Sequence, residues 1–143
     1  MPFLSGGDWE FGYETEDDTQ IVYEFVRPGQ TVDNWTEMIT VQTFNKAIGL
    51  GSVEGQIDSY RNSLDERCPG STVDVIRQTP DGVIYESNIV NCEQGADEHA
   101  LVRILDGSYN RFFVHYAVRG ESTMTPERRA EWLEELMAFH IIF

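Results

Sequence analysis

Between Glu98 and Arg119 hydrophobic and polar positions alternate in two runs, residues 98–106 and 111–119, separated by the turn-forming Gly107-Ser108-Tyr109-Asn110. This pattern predicts a β-hairpin. With Asp106 facing Arg111 across the turn, the register sets Ile104 opposite Phe113, Val102 opposite His115 and Glu98 opposite Arg119. Ala100, Val102, Ile104, Phe113 and Ala117 then share one face, and Leu101, Leu105, Phe112, Val114 and Tyr116 share the other. Both faces are apolar. A hairpin of this kind belongs in the middle of a sheet covered on both sides.

The rest of the chain fills in around it. Residues 9–13 predict a short first strand that turns through the acidic stretch 14–18. Residues 20–27 alternate with Ile21, Tyr23 and Phe25 on one face, and Pro28-Gly29 stops them. The run 35–44 has a helical-looking Glu-Met centre, but its threonines, Ile39, Val41 and Phe44 favour a strand. The period then changes. Val53, Ile57, Tyr60 and Leu64 recur at helical spacing behind an N-cap Ser52, and Pro69-Gly70 ends the segment. A second hairpin, 72–79 and 83–92, folds around Pro80-Asp81-Gly82. Thr125-Pro126-Glu127 opens a last helix with a cap, a proline at the first helical position and an early acid. Leu133, Leu136, Met137 and His140 form its predicted inward stripe, flanked by Trp132 and Phe139. The order β-β-β-α-β-β-β-β-α predicts an α+β fold: a mainly antiparallel sheet of six or seven strands covered by two main helices. The length of 143 residues suits one globular domain, with residues 1–7 as a flexible lead.

Charge narrows the choice of partner. Asp and Glu number 25 against 10 Lys and Arg, a formal net charge of -15. Such a surface repels phosphate backbones and anionic membranes, which argues against nucleic acid; a protein partner, a basic one, a high-salt habitat or an acid-rich proteome fits it better, and solubility alone is the plainest reading. No apolar run approaches the roughly 20 residues of a membrane span. The opening residues are too short for a signal peptide, so the chain reads as cytoplasmic; removal of an export signal would leave the same sequence and a periplasmic or exported protein.

Two cysteines, Cys68 and Cys92, lie at predicted element ends, where a disulfide is sterically accessible. The alternative is a pair of partly buried free thiols; a bridge would imply an oxidising compartment. Candidate chemistry is otherwise sparse. No nucleophile elbow, phosphate loop, metal-ligand spacing or cofactor motif is present. Gly49-Leu50-Gly51-Ser52 is explained as a helix-entry turn. The hairpin register puts His99 and His115 on opposite faces, so they cannot share one metal ion, and each reads as structural or superficial. Glu98 opposite Arg119 suggests a cross-strand ion pair. Trp35, after the turn Val32-Asp33-Asn34, is placed at a sheet end beside solvent and ranks first among contact aromatics.

The segment Asn34-Trp35-Thr36-Glu37-Met38-Ile39-Thr40-Val41-Gln42, followed by Glu98-His99-Ala100-Leu101 and Tyr116-Ala117-Val118-Arg119, resembles a group of small bacterial proteins. Their element order is similar to that of PsbP-like domains, α/β/α sandwiches around an antiparallel sheet. The resemblance spans residues 9–136 in pattern and implies an accessory or binding role rather than catalysis. The resulting expectation is a non-catalytic binding or assembly domain without a cofactor, with Trp35, Glu98, His99, Arg103, Tyr116 and Arg119 as candidate binding residues. The alternative is a small enzyme or ligand-binding protein with a pocket around His99, Arg103 and Tyr116.

Overall fold

The computed structural model describes residues 8–93, 95–120 and 124–139; the expected flexible lead 1–7 and His140 lie outside them. The elements are β1 (Glu10–Glu16), β2 (Gln20–Val26), β3 (Glu37–Asn45), α1 (Val53–Arg67), β4 (Thr72–Thr79), β5 (Gly82–Ile89), β6 (Glu98–Asp106), β7 (Asn110–Arg119) and α2 (Pro126–Ala138). They form one seven-stranded sheet in the order β1-β2-β3-β7-β6-β5-β4. Every pairing is antiparallel. The β6–β7 register runs from Glu98↔Arg119 through Val102↔His115 to Asp106↔Arg111, as the turn predicts.

Each face of the sheet carries one helix, giving α/β/α layers. On one face Leu101, Leu105, Val114, Tyr116 and Val118 pack with Trp132 and Leu136 of α2. On the other, Val73, Val83, Val102, Ile104 and Phe113 pack with Val53, Ile57 and Leu64 of α1. Apolar burial on both sides of the central strands is the main stabilising term, at about 25 cal/mol per Å² removed from water. Trp132, expected to flank the α2 stripe, is at its centre: it is buried and stacks on Tyr116 with centroids 4.1 Å apart.

Several boundaries differ from the sequence pattern by a few residues. β1 continues through the acidic residues 14–16 because the turn is made by Asp17, whose carboxylate accepts from Thr19 N (2.8 Å), Thr19 Oγ1 (2.7 Å) and Gln20 N (3.0 Å). β3 starts at Glu37 rather than at Trp35. β5 stops at Ile89, since Asn91 takes a left-handed backbone (φ 58°). There the Ser71 hydroxyl donates to the Val90 carbonyl and accepts from its N–H, and Asn91 Nδ2 donates to Pro69 O. Gly82 opens β5 where a Cβ would lie 2.0 Å from the Ile104 carbonyl oxygen.

Two devices fix α1. Cys68, the C-cap of α1, is disulfide-bonded to Cys92 beyond β5. At the other end of α1, buried Arg111 donates to Gln56 Oε1 (2.6 Å), Gly51 O (2.8 Å) and Asp106 Oδ1 (3.0 Å). Ser52 Oγ accepts from Gly55 N at 3.0 Å, so the residue 49–52 turn serves as a helix entry.

Candidate functional site

The polar residues that the sequence singles out fall on two different faces. His99, Arg103 and Tyr116 lie on the α2 face, and each helps to hold that helix. Arg103, 5% exposed, donates to the carbonyls of Leu136 (2.6 Å), Met137 (3.0 Å) and Phe139 (3.3 Å), which end α2, and to Asp81 (3.1 Å). A guanidinium at a helix C-terminus satisfies orphan carbonyls and complements the dipole. His99 Nε2 lies 2.7 Å from Glu86, which also takes Arg129 of α2 in a fork at 2.8 and 2.9 Å. Tyr116 donates to Glu37 at 2.5 Å, as does Arg128; Arg27 reaches the other oxygen at 2.7 Å.

These contacts set the local electrostatics. Burial pulls the Glu37 carboxyl up, but Arg27, Tyr116 and Arg128 outweigh it and leave the group below its ordinary value. Arg129 and, against burial, His99 lower Glu86 likewise. Among the described residues, His99, Arg103 and Tyr116 are thus engaged with α2 and its ion pairs.

A cleft does exist on the α1 face. Glu24 (β2), Thr40 (β3), His115 (β7), Val102 (β6) and Tyr85 (β5) form one row across five neighbouring strands. The next row is Val26, Met38, Ala117, Ala100 and Ser87. Its small central side chains leave a depression. α1 packs over the β4–β6 side and Phe113, and Tyr60 projects from it beside Tyr85, with ring centroids 6.3 Å apart. Val32 and Trp35 close the end toward β2 with Val26 and Met38. The cavity has a volume of about 330 Å³ and is lined by Glu24, Trp35, Tyr60, Tyr85, Glu98 and His115, among others. A second cavity of about 280 Å³ shares Tyr60, Tyr85 and His115 and is lined further by Gln42, Phe44, Gln56, Ile57 and Phe113.

The ionisable groups of the cleft are poorly solvated. Burial lowers His115 to about 4, so the imidazole is neutral. Its ring stacks beside Phe113 and borders both cavities, while its Nε2 is sealed from solvent and has no hydrogen-bond partner among the described residues. Burial raises Glu24, partly offset by a hydrogen bond from Thr40. Burial also raises Glu98; Arg119 opposes the shift and Glu24 adds to it. Burial and the charge of Glu98 raise Tyr60, and burial raises Tyr85.

Of the residues read from sequence, Glu98 and Trp35 thus belong to the cleft. Trp35 is 8% exposed rather than a solvent-facing contact aromatic. Arg119 faces Glu98 across the register, but its guanidinium lies 4.4 Å from the centre of the Trp35 ring and donates to the Trp35 and Asp33 carbonyls at 3.2 and 3.4 Å. It braces the cleft's end, and no direct Glu98–Arg119 ion pair is among those of the described residues. Glu24, Thr40, Tyr60, Tyr85 and His115 escape the sequence reading. The available signal was alternation, which puts His115 on the Val102 face; the pairing of β3 with β7 that brings Thr40 and Glu24 alongside is non-local.

Among the described residues no group of three or more His, Cys, Asp or Glu side chains is placed to hold a metal ion, and no helix is long and apolar enough to cross a membrane. Comparison with family models, with curated proteins and with solved structures finds no match to the chain.

Proposed function

We propose that the protein is a non-catalytic binding domain that seats a small ligand, or a side chain of a partner, in the cleft between α1 and the sheet. The observation that carries this reading is a concave cavity of about 330 Å³ with aromatic walls and a few polar side chains in its lining, among them Glu24, Thr40, Glu98 and His115. Cavities of roughly 300–1,000 Å³ with that composition are the usual form of a ligand site. The resemblance to PsbP-like domains, which mostly serve as accessory or binding proteins, supports the same assignment.

Filling the floor tests it. Ala117→Leu adds three carbons to the cavity lining. Wild-type protein incubated with a soluble extract of its source organism and repurified is expected to carry an adduct in native mass spectrometry. Ala117→Leu, with its melting profile intact, is expected to lose it. An adduct retained equally by the filled variant would place the binding surface elsewhere.

A further inference from the structure

We propose that the cleft's occupant is an organic ammonium on an apolar stem, its charged head near Glu24 and Glu98 and its stem passing His115 toward Phe44 and Phe113. This rests on the cleft being the binding site. The first argument is charge. Glu24 and Glu98 are the charged residues of the 330 Å³ cavity, and none of its lining residues is Lys or Arg. The guanidinium that faces Glu98, that of Arg119, is stacked on Trp35 and bonded to two carbonyls. Two carboxylates therefore meet one cation, and that cation is tethered to the end wall.

Solvation points the same way. Both carboxyls are pushed up by burial, and Glu24's charge adds to the push on Glu98. Carboxylates in this position gain from any group that restores the lost hydration and cancels their mutual repulsion. An anion would worsen the repulsion. A metal ion would need converging ligands, and among the described residues no such group of three exists. An ammonium supplies charge and N–H donors together, and its larger body can lie between carboxylates that come from different strands.

The walls complete the match. Tyr60 and Tyr85 form a tilted pair at 51°, and Trp35 closes the end of the cavity. Aromatic faces attract cations, and more strongly as the site dries. His115 is neutral and so adds no positive charge that would repel a cation. The adjoining 280 Å³ cavity is lined by Phe44, Ile57 and Phe113, the surroundings an alkyl or aryl stem requires, together with Gln42 and Gln56. The same ammonium chemistry is presented by a free amine or by a lysine side chain of a partner.

The test is calorimetric titration of the full chain with phenethylammonium, with its neutral counterpart 2-phenylethanol, and with an acetyl-capped, lysine-centred pentapeptide. Imidazole ¹⁵N shifts of His115 are followed in parallel. We expect phenethylammonium or the peptide to move His115 and to bind at least tenfold more tightly than the alcohol. Glu24→Gln and Glu98→Gln, each near-isosteric and checked by melting, are expected to weaken that binding at least tenfold while leaving the alcohol unaffected. Preference for the amine assigns a free small molecule, and preference for the peptide assigns a partner's lysine. Equal binding of alcohol and amine with His115 still responding would overturn the cation and leave the cleft standing. Failure of both ammonium probes to bind at millimolar concentration would also overturn the cation, whereas the cleft itself is judged by the Ala117→Leu adduct.

Discussion

His115 is the residue on which most of the account converges, because its environment sets both a stability term and a binding term. Burial moves its pKa from 6.5 down to about 4. The unfolded chain takes up a proton as the pH falls below 6.5, while the native state refuses it until about 4. Stability is therefore complete above 6.5, declines as the pH falls through this interval, and levels off below it; the interval corresponds to roughly 3 kcal/mol. His115→Gln should remove that part of the acid sensitivity. Urea unfolding at pH 7.5 and 4.5 is expected to show the stability gap between wild type and variant shrinking by about 2–3 kcal/mol at the lower pH. A gap independent of pH would mean that His115 is solvated. Alternation along β7 was enough to place this residue on the Val102 face, but its consequence was hidden. The neighbours that desolvate it come from β3, β5 and α1, and no local pattern reports those pairings.

At the scale of elements, the two helices are attached by different means. α2 is held by arginines: Arg128 and Arg129 diverge to Glu37 and Glu86, and Arg103 meets the helix end from below. Arg103→Met keeps the stem's packing and leaves the Leu136 and Met137 carbonyls without this donor, a loss of about 2–3 kcal/mol in urea unfolding. A loss under 0.5 kcal/mol would show that other groups end the helix. Acid should loosen α2 as well. Glu37 and Glu86 are held below their ordinary 4.5, so their contribution is present above that value and disappears as the pH falls through the lower folded values. α1 is held by Arg111 at its start and by the Cys68–Cys92 bridge at its end. The bridge joins residues 24 apart, for which chain entropy gives roughly 3 kcal/mol. Thiol titration of denatured, unreduced protein should find no free cysteine, and reduction should lower the melting temperature. Two titratable thiols would contradict it. The hairpin register and both helix starts were legible because turn and cap residues are local signals. The end of β5 was not, because it depends on Ser71 bonding to Val90 and Asn91 to Pro69, contacts between segments about 20 residues apart.

For the molecule as a whole, a net charge of -15 on 143 residues sets the background field. Raising sodium chloride from 0.01 M to 0.15 M cuts the Debye length from about 30 Å to about 8 Å, and the melting temperature should rise with it. A flat response would indicate that the acids are already paired or well separated. The layered architecture could be read from sequence because a hairpin apolar on both faces demands cover on both sides. The cleft could not, since it arises where α1 leaves part of its face uncovered and where Ala100, Ala117 and Ser87 happen to adjoin across three strands. Of the hairpin's ionisable residues, His99 and Arg103 are engaged with α2, whereas Glu98 lines the cleft. The central claim is that binding occurs in this cleft, and chemical-shift mapping tests it most directly. Isotope-labelled protein would be titrated with small cationic, neutral and anionic organic probes. The account predicts that the shifts of whichever probes bind centre on Trp35, Tyr60, Tyr85 and His115. Shifts centred instead on the α2 face around His99 and Arg103, or on the exposed Phe11 and Tyr13 of β1, would contradict it.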